Sequence, residues 1–200
     1  PNYVYDNQIP KVLPVKDQNI IGLIYFGRIA PNKNIDVILD TFEILCQRHD
    51  NIRLTIIGGV GQRKAYAQMI DQRIMTSRYK EKIKRMGITP FDEIKEIMKY
   101  QHFFIFPSKE KAEGHSNSLN EAMSQGLIPI VSDYHFNRSI VGDDRFVVSG
   151  FSPDLYAKKI EALISQADMP ELSRQVWERV KENYTYEKVN ERIVREIRTI

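Results

Sequence analysis

Up to Gly150, short apolar runs alternate along the chain with longer segments whose apolar residues recur every three or four positions. The run over 20–26, ended by Gly27, is uniformly apolar and rich in β-branched and aromatic side chains, which predicts a strand buried on both faces. Ile35, Ile38, Leu39, Phe42, Ile44 and Leu45 then recur mostly at helical spacing, and His49 with Asp50 closes that helix. The alternation repeats as a strand over 52–57, a glycine turn at Gly58, Gly59 and Gly61, a polar helix over 63–79 and a weak strand over 82–86. Thr89 as a cap, Pro90 at the first helical position and Asp92 or Glu93 in the first turn predict a helix over 91–100. A strand over 102–108, a helix over 118–125 and strands over 127–131 and 145–148 follow. Beyond Gly150 the strands cease, and Ser152-Pro153, Met169-Pro170 and Thr185 each open a helical pattern.

Strands that alternate with helices imply right-handed crossovers and a parallel sheet covered on both faces, a doubly wound, Rossmann-like α/β fold with terminal helices. The organisation read from the pattern is an extended, proline-punctuated connector over 1–18, an α/β domain over 19–183 and a C-terminal helix over 184–200. Ligands of such sheets bind outside the carboxyl ends of the strands, so the loops after Phe26, Ile57, Met86, Phe106 and Val131 are where function is expected.

Composition narrows this further. The 200 residues are 42% hydrophobic and 28% charged, ordinary for a globular chain and unlike disordered or fibrous ones. One cysteine, Cys46, excludes an intramolecular disulfide and multi-cysteine metal sites, and points to a reducing cytoplasm. A net charge of +3 is too slight to imply nucleic acid, and no run approaches the roughly 20 apolar residues of a membrane span. The chain does not begin with methionine and reads as a fragment of a longer protein.

The densest chemical constellation is Glu113-Gly-His-Ser-Asn-Ser-Leu-Asn-Glu121. Backbone N–H groups of Ser116, Asn117 and Ser118 at a helix start, helped by the helix dipole, form a seat for phosphate oxygens. Gly114 admits close approach of a ligand to the backbone, and a glutamate on either side of the anion can accept hydrogen bonds from paired hydroxyls. Taken alone, two such glutamates are a solvated loop charge and a first-turn acid. Their context, with Arg28 and Lys33 beside another helix start, favours the ligand reading: two cations would stabilise charge growing on a departing diphosphate and could replace a metal. The chain has no Asp-x-Asp, and the four histidines show no metal spacing. No metal or other cofactor is expected.

EGHSNSLNEAMSQGLIPIVS resembles the E-x7-E region of family 4 retaining glycosyltransferases of the GT-B fold. YFGRIAPNKNID, LTIIGG and MKYQHFFIFPS resemble further segments of that family in its order, and PNYVYD resembles the hinge at which its second Rossmann-like domain begins. The resemblance implies that 1–18 is an interdomain hinge and 19–183 a nucleotide-sugar donor-binding domain. It assigns the donor sugar's hydroxyls to Glu113, the ribose to Glu121, the diphosphate to Arg28 and Lys33, and the base to backbone near Gly58, Arg85 and Met86, with Gly27 beside it. His115 supplies a backbone N–H or contacts the sugar. Retention of anomeric configuration is implied by the resemblance alone.

The expected partners are a nucleotide-sugar, most simply a UDP-sugar, a glycan or lipid-linked acceptor of the kind used for bacterial O-antigen or capsule, and a first domain of the same enzyme. The alternatives are a non-hydrolysing nucleotide-sugar 2-epimerase and a non-catalytic nucleotide-binding module. The basic run over 77–85 reads as a patch for peripheral contact with the inner membrane face or as a solvated surface. Lys64 stands where a third glycine of G-x-G-x-x-G would fall, so a dehydrogenase fingerprint fails.

Overall fold

The computed structural model describes residues 2–109 and 116–198, so Glu113, Gly114 and His115 lie outside the described residues. Six strands, β1 (Ile21–Phe26), β2 (Ile52–Ile57), β3 (Ile83–Met86), β4 (Phe103–Phe106), β5 (Ile128–Ser132) and β6 (Val147–Val148), pair in parallel in the order β3-β2-β1-β4-β5-β6. The chain steps outward from β1 to β3, returns to the centre for β4, and steps outward again to β6. The order therefore reverses between β1 and β4, and ligands of doubly wound sheets sit at that switch point.

β1, β4 and β5 are buried at every position, which is why their sequences are continuous apolar runs. β3 lies at the sheet edge and is only partly buried, so Lys84 and Arg85 are tolerated there. Tyr25, Phe104 and Phe106 form a stacked aromatic column, with ring centroids 6.4 and 5.5 Å apart. Burying each ring stabilises the sheet by roughly 2–3 kcal/mol. The wholly buried Tyr25 also donates its hydroxyl to the Arg28 carbonyl at 2.9 Å, which ties the core to the loop after β1.

The helices are α1 (Ile35–Cys46), α2 (Lys64–Thr76), α3 (Phe91–Met98), α4 (Asn117–Ser124), α5 (Asn137–Val141), α6 (Pro153–Gln166), α7 (Met169–Asn183) and α8 (Tyr186–Ile197). Pro153 and Pro170 open α6 and α7 as expected, with Asp168 accepting from the Glu171 N–H and Thr185 from the Lys188 N–H. Several details differ from the sequence reading. The strand read over 145–148 is only Val147–Val148, because a 3-10 turn takes up Asp144–Phe146. α2 stops at Thr76, because Ser77 is extended and a separate 3-10 turn follows at Lys80–Lys82. Thr89 does not cap α3: Pro90 occupies that position, and the Thr89 hydroxyl donates to the Gly87 carbonyl instead. The five-residue α5 is too short for a periodic signal.

The segment read as a connector has one 3-10 turn, Asp6–Gln8, and runs along the domain rather than away from it. Val4 is buried and exchanges backbone hydrogen bonds with Tyr184 and Tyr186 at 2.9 and 3.0 Å. Asn120 of α4 donates to the Asn2 carbonyl, and Gln125 to that of Gln8. No helix is long and apolar enough to cross a membrane among the described residues.

Candidate functional site

A cleft of ≈390 Å³ opens at the carboxyl ends of β1 and β2, between Phe26-Gly27 and Ile57-Gly58-Gly59 on one side and the start of α4 on the other. Its shape depends on two glycines. Gly27 and Gly58 have φ of +147° and +149°, and a Cβ on Gly58 would lie 1.8 Å from the Gly27 carbonyl oxygen. Only glycine lets the two strand ends close this tightly. The loops beyond them are stitched together, with Ile29 N–H donating to the Gly59 carbonyl and Gly61 N–H to that of Ile29.

Across the cleft, Ser116 is the N-cap of α4, which opens one residue earlier than the periodicity indicates. The Ser116 hydroxyl makes no cap hydrogen bond and instead meets the Ser118 hydroxyl at 3.1 Å. The first N–H groups of α4 have no intrahelical acceptor by the geometry of a helix, and the Ser116 side chain does not cap them, which is the chemistry an anion uses at a helix start. One turn on, Glu121 lines the same cleft, and burial lifts its carboxyl above the usual carboxylate range. A half-buried carboxylate there can read hydroxyls beside a phosphate held on the helix start.

Of the residues selected from the sequence, Gly27, Gly58, Ser116, Asn117, Ser118 and Glu121 line this one cleft. Arg28 and Lys33 do not line the cleft. Arg28 follows Gly27 directly and is exposed, its carbonyl held by Tyr25. Lys33 is 4% exposed, with its Nζ 3.5 Å from the Ser108 hydroxyl and 5.5 Å above the Phe106 ring, where β4 leads toward the region outside the description.

Arg85 and Met86 stand one layer behind the cleft. The Arg85 guanidinium is turned into the protein, donating to Asp71 of α2 at 3.0 Å, to the Gly58 carbonyl at 3.1 Å and to the Met86 carbonyl. The Gly58 N–H in turn donates to the carbonyls of Met86 and Gly87 at 3.1 Å each. Arg85 therefore acts as a strut that holds the ends of β2 and β3.

The residues that line this side are Ile88 and Thr89, which the sequence reading did not select, together with Ile94 of α3, while Asn2, whose carbonyl accepts from Asn120, lies with α4. Ile88 is 90% exposed, so it forms an apolar shelf against the glycine turn rather than part of the core. The available signal was an isolated isoleucine between Gly87 and Thr89-Pro90, directly after a strand end.

A helix start that faces a glycine-closed strand turn, at the switch point of a parallel sheet, belongs to a doubly wound, Rossmann-like α/β domain. The chain belongs to the glycosyl transferases group 1 family, whose model matches residues 5–182. Among solved structures it is similar in fold to the Anabaena protein HepE in complex with UDP and glucose. That match has a TM-score of 0.77 and 16% identity, and covers 91% of this chain and 49% of that one. It is also similar to the C-terminal domain of the group 1 glycosyl transferase LpcC from Francisella tularensis, with a TM-score of 0.74 and 19% identity, covering 87% of this chain and 96% of that one. A curated relative is the phosphatidylinositol N-acetylglucosaminyltransferase gpi3 subunit of Schizosaccharomyces pombe. It is 24% identical over 113 residues, a match that takes in 56% of this chain and only 24% of that protein's length.

Proposed function

We propose that this chain is the donor-binding half of a retaining GT-B glycosyltransferase that takes a sugar from a UDP-sugar and passes it to a glycan or lipid-linked acceptor. The observation that carries the reading is the convergence of Gly27, Gly58, the open start of α4 and Glu121 on one cleft at the switch point. In this scheme the diphosphate rests on the N–H groups of Asn117 and Ser118, Glu121 accepts from the ribose hydroxyls, and Glu113 reads the hydroxyls of the donor sugar. Ile88 offers the base an apolar face beside Gly58.

As the bond between the anomeric carbon and the diphosphate oxygen breaks, negative charge grows on the leaving oxygen. The α4 dipole stabilises that charge, and Arg28 and Lys33 supply positive charge. The acceptor hydroxyl then forms the new bond on the same face of the sugar and gives up its proton to the departing diphosphate, within contacts supplied by a first domain of the whole enzyme.

The UDP in the HepE structure supports the choice of base, and the kinship with a phosphatidylinositol N-acetylglucosaminyltransferase subunit keeps lipid acceptors in view. Synthesis of a bacterial surface polysaccharide at the inner membrane face, without a metal, completes the proposal. Calorimetry of the chain with UDP, GDP and ADP, with and without magnesium, tests it. Binding that is tightest for UDP and unchanged by chelation of divalent ions is expected, and strict dependence on a divalent ion would contradict the metal-free scheme. Turnover by the full-length protein, followed by NMR of the product's anomeric configuration, tests transfer and retention. Full activity after Glu113→Ala would remove Glu113 from the mechanism.

A further inference from the structure

A second cavity, of ≈380 Å³, lies at the opposite end of the sheet, beside the amino ends of β4 and β5. Leu13 and Pro14 of the N-terminal segment line it, with Ile128 of β5 and Met169, Pro170 and Trp177 of α7. The lining is mostly apolar, and its charges are one-sided: Lys11, Lys16 and Arg174 are present, and no carboxylate is. Arg174 is answered outside the cavity by Glu171 and Glu178, both at 2.6 Å. Lys16 is not. Its ammonium donates to the Gly126 carbonyl at 2.9 Å, a neutral acceptor shared with the Ser173 hydroxyl.

Two further donors in the lining residues lack acceptors. His102 is 3% exposed, and its Nδ1 accepts from the Gly22 N–H at 3.2 Å, so the proton of the neutral ring sits on Nε2. That Nε2, and the indole Nε1 of Trp177, are buried with no hydrogen-bond partner. Both atoms are shielded from the cavity itself, so its own polar group is Lys16, whose ammonium pKa is pushed down to about 7 by desolvation. An apolar cavity whose charged residues are all cationic, with no acid, favours an anion that restores the charge of Lys16.

We propose that this cavity is a second ligand site, separate from the cleft, which takes a small amphipathic anion of the medium-chain acyl carboxylate class. The carboxylate meets Lys16, and the chain lies between Leu13-Pro14 and α7. The site does not depend on the glycosyltransferase reading, since it shares no lining residue with the cleft.

Trp177 is the chain's single tryptophan, and its fluorescence reports on this cavity and on the adjoining one beside Asp6, Ile9 and Lys181, which Lys16 does not line. Titration with decanoate brominated on its chain, below the micelle-forming concentration, is expected to quench Trp177 saturably. Decanol brominated in the same way should bind at least tenfold more weakly. Lys16→Met should weaken the carboxylate about tenfold and leave the alcohol unchanged. Absence of saturable quenching, equal affinity for acid and alcohol, or undiminished carboxylate binding by the Lys16→Met chain would each overturn the proposal. The comparison of the two ligands on the unaltered chain keeps it falsifiable should the variant fail to fold.

Discussion

Glu121 is placed where folding and ligand binding want different things from it. Burial in the cleft disfavours its charge and raises its pKa, whereas accepting hydrogen bonds from a ribose requires the carboxylate. Its folded pKa lies above the unfolded value, so the charged form is a net cost to stability once the pH exceeds both. Glu121→Gln is therefore expected to raise the thermal midpoint at pH 7 slightly while weakening UDP about 10-fold or more, since hydrogen bonds to charged groups contribute about 1.5–3 kcal/mol. For the unaltered chain, UDP affinity followed by calorimetry should fall as the pH drops through the raised pKa of Glu121. Gly58→Ala is a harsher change: its Cβ would collide with the Gly27 carbonyl, and the residue would be held at a φ that side chains rarely adopt. A loss of about 2 kcal/mol or more in denaturant unfolding is expected, together with loss of UDP binding. At this scale Ser116, Asn117, Ser118 and Glu121 were legible because they are neighbours in sequence. Ile88 was not, because only its exposure in the folded chain distinguishes a ligand shelf from an ordinary core isoleucine.

The elements differ in how far their own sequences define them. β1 and β4 declare themselves by continuous apolar runs, β2 by β-branched residues that end on a glycine turn, and α6 to α8 by their N-terminal punctuation, because these signals are local. The start of α4 was misjudged by one residue and the end of α2 by three, since both depend on what the flanking loops bond to. Arg85 illustrates the same limit: a cation on an edge strand reads as a ligand group, and the fold turns it inward to bond Gly58 and Asp71. Its pairing with Asp71 is half exposed and should contribute no more than about 1 kcal/mol to stability. Asp71→Ala is thus expected to leave the unfolding midpoint nearly unchanged. It should still speed hydrogen exchange at the Gly58 amide and weaken UDP severalfold, because the strut under the cleft is loosened. Unchanged exchange and unchanged UDP affinity would show that Arg85 holds the turn without Asp71.

Across the whole molecule, the two ends of the sheet differ in what they bury. The carboxyl ends carry the glycine turn and the start of α4, while the amino ends bury His102 as a neutral ring, with its pKa pushed down to about 4 by desolvation and then by Lys16. The folded value lies below the unfolded one, so the unfolded chain gains a proton first as the pH falls. Stability should therefore decline from about pH 6.5 to about pH 4, by up to about 3 kcal/mol, and His102→Asn should flatten that slope in denaturant titrations. The alternation of strands and helices made the doubly wound class legible, but the strand order, and with it the switch point, is set by which edges pair in space. The central claim is that a nucleoside diphosphate sits at that switch point, on the start of α4. The most direct measurement is an amide chemical-shift map of the chain on addition of UDP. The account predicts the largest shifts at Gly27, Gly58, Asn117 and Ser118. Saturable binding that moves amides elsewhere and leaves these four in place would contradict it.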